Sequence, residues 1–493
     1  MNILLAAAEL SPLAKAGGLA DVVASLPVEW KKQGHNPIVI IPKYSLIDPY
    51  KYGFEPTDMV LYVPVSNWLE YARLWRGTLP GTDVPCYLVE NNDYFWRDGI
   101  YGNPNEYKDN DRRFIFFSRA VMEAAKALNF KPDIIHAHDY HTAFVMAFLK
   151  THYRYDPLFS QSAGVFTIHN LGYQGWFDPK RAMDFAGFGS HHFYPGSWFE
   201  KNGAINAMKA GIMFADKITT VSPTYSKEIR WDYYGEGLQH ELNERGADLI
   251  GVLNGADYSE WNPENDKLIY KNYSVKSLQD KMKNKLAFLK EMGVSENNDI
   301  DKPLIGMVTR LTGQKGVDLL MNKLEHHLFH TNYRFAILGS GEQVYVEYFN
   351  YLAWKYPGRI YVYIGYSNEI AHKIICSSDF LFLPSRYEPC GLTQMYALRY
   401  GTIPIVRSTG GLADTVFEYT QENKNGNGFL FINYNAEDMD FAISRAIQVY
   451  YNKDDWQRLQ ENAMNCDYSV SKAATKYIEV FNWALEKIRS FNA

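Results

Sequence analysis

A chain of 493 residues exceeds what one hydrophobic core supports, so two or three domains are expected. The net charge is −6, from 50 Lys and Arg against 56 Asp and Glu with no long basic block, which argues against nucleic acid or an anionic membrane as a partner. The four cysteines lie far apart with no Cys-x-x-Cys pair, which disfavours a disulfide framework or a structural zinc site and fits a reducing compartment. No apolar run reaches the roughly 20 residues of a membrane span. No basic segment precedes Lys15. The expectation is a cytoplasmic protein without a signal peptide. Aromatic residues make up 15%, including 37 Tyr and 11 Trp. Their faces stack on sugar rings, but most will be core, so composition hints at a carbohydrate and no more.

In chain order, β-rich runs at 3–7, 37–41, 59–65, 85–89, 133–136, 164–168, 217–221 and 249–253 alternate with helical stretches at 19–33, 112–128, 142–153 and 222–230. Strand, helix, strand order predicts a parallel sheet with right-handed crossovers. The pattern restarts after Asn254-Gly255 with a Lys-rich helix at 276–292. Strands follow at 304–309, 335–338, 360–363, 380–383 and 403–406, and helices at 317–327, 343–356, 369–376 and 411–419. Three closing helices are predicted at 436–451, 455–464 and 470–488. This order predicts two doubly wound α/β domains with a boundary near 250–265. Such sheets bind ligands outside the carboxyl ends of their strands, so a cleft between two facing sheets is the expected site.

The run Gly-Gly-Leu-Ala-Asp occurs twice, at 17–21 after Lys15 and at 410–414 after Thr409. Each copy stands between a predicted strand and a predicted helix. A glycine pair opening a helix lets backbone N–H groups and the positive end of the helix dipole approach an anion. Glycine also opens ordinary βα turns. Other polar clusters sit where strands should end. Ala137-His138-Asp139-Tyr140-His141 reads as a solvated turn or, from its His-x-x-His spacing, a metal site for which no further ligand cluster is apparent. His169-Asn170-Leu171-Gly172-Tyr173-Gln174-Gly175 reads as a capped loop. Arg310-Leu311-Thr312-Gly313-Gln314-Lys315-Gly316 puts two cations at a helix entry, which suits a diphosphate or a solvated basic turn. In Pro384-Ser385-Arg386-Tyr387-Glu388-Pro389-Cys390-Gly391, Glu388 could accept sugar hydroxyls or complement a helix dipole.

Taken together and in this order, these motifs resemble the bacterial glycogen synthase and plant starch synthase family over nearly the whole chain. Thr220-Val221-Ser222-Pro223-Thr224-Tyr225, Leu253-Asn254-Gly255 and 409–415 extend the match. The resemblance implies a GT-B fold, two facing Rossmann-like domains around an interdomain cleft. The N-terminal acceptor-side domain would be 1–255, the nucleotide-sugar-binding domain 256–470, and 471–493 a helix crossing back to the first domain. It implies retaining transfer of glucose from a nucleotide sugar, ADP-glucose with UDP-glucose as the alternative, to the 4-hydroxyl of a glycogen or malto-oligosaccharide acceptor. No metal and no cofactor are implied, and domain closure is expected.

Carried over by position, Arg310 and Lys315 match the cations neutralising the diphosphate, and Lys15 a further phosphate contact beside Gly17 and Gly18. Asp139 and His169 match the pair near the glucose, with Asn170 adjacent. Glu388 matches an acid on the glucosyl hydroxyls, next to the Cys390 and Gly391 backbone. Gly411, Leu412 and Thr415 match the second phosphate loop, Tyr366 the ring that stacks on adenine, and Asn254 a further substrate contact. Tyr140 stands where many members have Trp, and Ala16 where Val or Thr is frequent. Two other readings compete. A related transferase such as sucrose synthase or trehalose-phosphate synthase would form product without a glucan primer. A non-catalytic glucan-binding protein would bind glycogen without turning over donor.

Overall fold

The computed structural model describes residues 1–102, 105–294 and 300–492. The chain forms two compact units, the first from 1–255 together with the helix Val470–Asn492, the second Ala256–Ser469.

Among the described residues the first unit holds twelve strands: β1 (Asn2–Ala6), β2 (Asn36–Pro42), β3 (Glu55–Val65), β4 (Trp68–Thr78), β5 (Pro85–Glu90), β6 (Ile134–His138), β7 (Ala163–Ile168), β8 (Trp176–Phe177), β9 (Glu200–Lys201), β10 (Ala204–Asn206), β11 (Lys217–Thr220) and β12 (Leu249–Gly251). Nine form one sheet in the order β12-β11-β7-β6-β1-β2-β5-β4-β3, and β8-β10-β9 form a small second sheet. The central strands are parallel and buried along almost their whole length, as strands covered on both faces must be.

The sheet is not wholly parallel, however. β3 and β4 form an antiparallel ribbon, and β4 also pairs antiparallel with β5. The strand β4 is absent from the sequence expectation. One of its faces buries Ala72 and Leu74, but the other exposes Leu69 and Tyr71, the latter opposite exposed Tyr62, while burying Trp75, so apolar residues do not mark one face.

The terminal helix packs on the first unit. Trp30 Nε1 donates to the Ala474 carbonyl at 3.3 Å, and the Trp30 ring meets Phe481 edge-on at 5.2 Å.

The second unit contains β13 (Leu304–Val308), β14 (Arg334–Gly339), β15 (Ile360–Ile364), β16 (Phe380–Leu383), β17 (Ile403–Arg407) and β18 (Phe429–Phe431). They form a parallel sheet in the order β15-β14-β13-β16-β17-β18. Alternate residues supply two cores. Ile305, Phe335, Ile337, Phe380 and Phe382 face one, while Leu304, Ala336, Leu338, Leu381 and Leu383 face the other. The helix expected at 411–419 ends at Thr415, because Val416 is already extended and leads toward β18. The Lys-rich segment is a 3-10 turn, Val275–Asp280, followed by the helix Lys281–Glu291.

Candidate functional site

In the first unit the site is built at the carboxyl ends of β6 and β7. The strand β6 runs two residues further than its apolar run suggests, so His136 and His138 lie inside it and share a face. His136 Nε2 lies 2.6 Å from Thr167 Oγ1, and His138 Nδ1 lies 2.9 Å from His169 Nε2. His141 turns elsewhere and stacks on Tyr101 at 4.4 Å, so the His-x-x-His pair diverges. Among the described residues, no three His, Cys, Asp or Glu side chains group to hold a metal.

Asp139 follows directly and has φ 55°, in the left-handed region that a non-glycine residue enters at a cost of order 1–3 kcal/mol. The surroundings enforce it. Asp139 N donates to the Thr167 carbonyl at 2.9 Å, and Asp139 Oδ1 accepts from His169 N at 2.7 Å. The carboxyl is buried. Burial pushes its pKa up to about 7, with the charge of Glu9 adding to the effect, although the backbone N–H groups of His169 and Asn170 pull the other way. Burial likewise lowers His169 to about 3. Asn170 Oδ1 accepts from Gly172 N at 3.0 Å, which folds the loop after β7. At Gly175, φ is +68°, and a Cβ would stand 2.4 Å from the Tyr140 ring, so only glycine fits there.

The first glycine loop is already occupied by an anion of the protein itself. Glu9 Oε2 accepts from Ala16 N and Gly17 N, each at 2.8 Å, and Glu9 Oε1 accepts from the Tyr101 hydroxyl at 2.5 Å. Gly18 caps the helix Leu19–Lys32. The exposed Lys15 ammonium lies 2.7 Å from Asp21 Oδ1. The Gly17 amide, one of the pair expected near a phosphate, is therefore engaged by Glu9, a residue outside the motifs named above. Its sequence signal is a carboxylate directly after the buried β1 run, where a charge needs partners.

In the second glycine loop the amides bond backbone carbonyls. Gly411 N donates to the Glu388 carbonyl at 3.1 Å, and Leu412 N to the Thr409 carbonyl at 3.1 Å. A Cβ on Gly410 would lie 1.8 Å from Glu388 O, and one on Gly411 2.1 Å from Cys390 O. These glycines let the two loops of the second unit touch. Thr415 is buried beneath them, with its hydroxyl donating to Gly411 O at 2.6 Å, so its side chain supports the loop. Gln394 Nε2 ties the loop together through the Cys390 and Gly391 carbonyls at 3.1 and 2.9 Å.

Lys315 and Glu388, matched by the resemblance to the diphosphate and to the glucosyl hydroxyls, are in direct contact. Lys315 Nζ lies 2.6 Å from Glu388 Oε2, and Ser385 Oγ donates to the same oxygen at 2.9 Å. Gly316, with φ +73°, allows this approach, since a Cβ there would lie 2.1 Å from the Pro384 carbonyl. Arg310 is exposed, and its Nη2 donates to Gln314 Oε1 at 3.2 Å. Tyr366 is 75% exposed beyond the end of β15. In the first unit, Asn254 is buried, and its side-chain oxygen has no hydrogen-bond partner among the described residues.

Two α/β units with polar clusters at their strand ends fit the GT-B class of glycosyltransferase, and the comparisons with known proteins assign the chain to it. The starch synthase catalytic domain family matches residues 2–244, and the glycosyl transferases group 1 family matches residues 290–465. The glycogen synthase of Thermosipho africanus is 43% identical over 494 residues, covering 99% of this chain and 100% of its own. Glycogen synthase 1 of Geobacter sulfurreducens is 43% identical over 491 residues, covering 99% and 97%. The solved catalytic domain of starch synthase IV from Arabidopsis thaliana, bound to ADP and acarbose, superposes with a TM-score of 0.89 at 34% identity, over 98% of this chain and 99% of that one. Sucrose-phosphate synthase from Thermosynechococcus elongatus shares the fold, with a TM-score of 0.61 at 15% identity over 98% and 99%. The chain belongs to the glycogen synthase and starch synthase family, and it is a retaining glycosyltransferase.

Proposed function

We propose that the enzyme transfers glucose from ADP-glucose to the non-reducing-end 4-hydroxyl of an α-1,4-glucan, with retention of the anomeric configuration. The observation that carries this reading is Asp139. A buried carboxylate held at positive φ against the His169 amide is a costly arrangement of the kind kept for a reacting centre. ADP as the nucleotude part of the donor is supported by the Arabidopsis relative, which was solved with ADP and acarbose.

In the transfer, the bond between the anomeric carbon and the diphosphate oxygen breaks, and the acceptor 4-oxygen bonds to the same face of that carbon. The acceptor proton passes to the departing diphosphate. Negative charge grows on the phosphate and positive charge on the ring. Arg310, Lys315 and Lys15 are the groups assigned to the phosphate side, where a preorganised cation is worth most in a site shielded from water. Asp139, His169 and Asn170 are assigned to the sugar, and Glu388 to its hydroxyls. The Lys315 contact balances the Glu388 charge, so this carboxylate is suited to accept hydrogen bonds and not to attack. A double-displacement hydrolase would need two carboxyls roughly 5–5.5 Å apart.

Among the described residues no helix is long and apolar enough to cross a membrane. Cys86, Cys376, Cys390 and Cys466 are all unbridged, which supports a cytoplasmic location.

The test is initial rates with ADP-glucose and with UDP-glucose on a glycogen primer. A clear preference for ADP-glucose that depends on primer is the expected result. A UDP-glucose preference would overturn the donor assignment, and product without primer would overturn the acceptor.

A further inference from the structure

The two ring nitrogens of His138 have different surroundings. Nδ1 lies 2.9 Å from His169 Nε2. Nε2 is buried and has no hydrogen-bond partner among the described residues. The backbone around the ring is clamped by Thr142, whose Oγ1 accepts from His138 N and donates to His138 O, both at 2.7 Å. His136 lies 4.1 Å from the His138 ring, so the imidazole cannot swing away without disturbing a packed neighbour.

Burial holds all three imidazoles in their neutral forms, with His138 well below its ordinary pKa and His136 and His169 near 3. One proton therefore lies between the facing nitrogens of His138 and His169. In one arrangement His169 donates and accepts nothing from His138, whose own proton is then an N–H on the buried, partnerless Nε2. In the other, His138 donates from Nδ1 and its Nε2 is a bare ring nitrogen. Among buried backbone groups an orphaned N–H is rarer than an under-satisfied acceptor, and the same ordering is applied to the ring. The second arrangement follows.

We propose that His138 is a positioning residue: it donates its Nδ1–H to His169 Nε2 and so fixes His169 as the Nδ1–H tautomer, which presents a hydrogen-bond donor to an oxygen of the bound sugar. This rests on the reading of His169 as a sugar-side residue. The dipeptide His138-Asp139 thereby grips His169 twice, the ring through His138 and the amide through Asp139. In the opposite tautomer His169 would face a sugar oxygen lone pair with a lone pair of its own.

The experiment is long-range proton–nitrogen correlation NMR on the full-length protein labelled with 15N-histidine, using His169→Gln to assign the resonance among 13 histidines. The expected spectrum shows His169 protonated at Nδ1 and bare at Nε2. The reverse tautomer, or an even mixture, overturns the proposal. Two variants test the consequence. His138→Phe keeps a ring but loses the donor, and is expected to lose the single tautomer and to lower kcat/KM on the order of 10–100-fold, by analogy with removal of a residue that orients a metal-ligating histidine. His138→Asn places an amide N–H where Nδ1 stood, and is expected to restore the tautomer and most of the rate. Equal losses in both variants, with the His169 tautomer unmoved, defeat the positioning role. If the Phe variant does not fold, the wild-type spectrum alone decides. Wild-type kcat/KM in His169→Ala would sink the sugar-side reading of His169 separately, because the tautomer is measured in the resting protein.

Discussion

Asp139 Oδ1 lies 2.7 Å from the backbone nitrogen of His169, and this contact ties the ends of two parallel strands, β6 and β7, into one polar unit. The same carboxyl is buried and has its pKa raised to about 7 from 3.8. A carboxyl raised on folding binds its proton more tightly in the folded state. Its contribution to stability is complete below pH 3.8, declines as pH rises toward 7 and is absent above that. Asp139→Asn keeps an acceptor for the His169 amide but cannot ionise. Its melting temperature should match wild type near pH 4 and exceed it at pH 8, by an amount corresponding to on the order of 4 kcal/mol. A constant offset across that range would show that Asp139 does not titrate there. Transfer should rise through pH 7 in wild type as the carboxylate forms, and that rise should vanish in the variant.

Lys315 and Glu388 form an ion pair in which both side chains are mostly buried. Lys315→Ala should lower transfer by about 10²–10³, as for loss of one preorganised charge-stabilising partner. It also strands the Glu388 carboxylate beside Ser385, at a cost on the order of 3 kcal/mol in stability. Adding Glu388→Gln should recover stability without recovering transfer. A double-mutant cycle by thermal denaturation checks this, and a coupling energy indistinguishable from zero would show that the contact carries no weight.

Glu9 fastens the loop that presents Lys15, through the amides of Ala16 and Gly17 and the hydroxyl of Tyr101. Glu9→Ala leaves these donors without their carboxylate, and each buried donor lost in this way costs about 1–3 kcal/mol before water compensates. The expected kinetic result is a KM for ADP-glucose raised by roughly tenfold, equivalent to about 1.4 kcal/mol, with a smaller fall in kcat. Lys15→Ala in the same background should add little. Full additivity of the two substitutions would separate Glu9 from the Lys15 loop.

Tyr366 offers an exposed ring at the end of β15. Stacking of a base on such a ring is worth about 1–3 kcal/mol by alanine substitution, so Tyr366→Ala should raise the donor KM on the order of tenfold. Tyr366→Phe should retain the wild-type KM. Isothermal titration with ADP checks the same contact without turnover, and unchanged affinity in the alanine variant would remove Tyr366 from the nucleotide site.

Much of the two α/β units could be read from the sequence, because parallel strands buried on both faces are written as short continuous apolar runs between glycine turns. Strands at the centre of each sheet follow these runs within a residue or two, as at β1, β2 and β16. The runs fail at the margins. The ribbon strand β4 exposes Leu69 and Tyr71, so its hydropathy does not alternate. The strands β8, β9 and β10 have two or three residues each, too few for any period. The helix Pro179–Ala186 lies outside the expected helices, although Asp178 caps it and Pro179 opens it, which is a start signal written in the sequence.

The sequence by itself determined which residues stand at the strand ends: Asp139 and His169, Arg310 and Lys315, Glu388, and the two glycine pairs. Order and local pattern suffice for that, since a βα turn follows its strand wherever the sheet lies. Only the tertiary structure decided what those residues touch. It turned the glycine amides at Gly17 and Gly411 inward to Glu9 and Glu388, buried Thr415 as a support, paired Lys315 with Glu388 and set His138 against His169. Apart from the Thr415 bond, which spans four residues, these contacts join positions from eight to 73 residues apart. Burial makes them obligatory, because an amide, a carboxylate or an imidazole taken out of water must find its partner within the fold, and no local pattern names that partner.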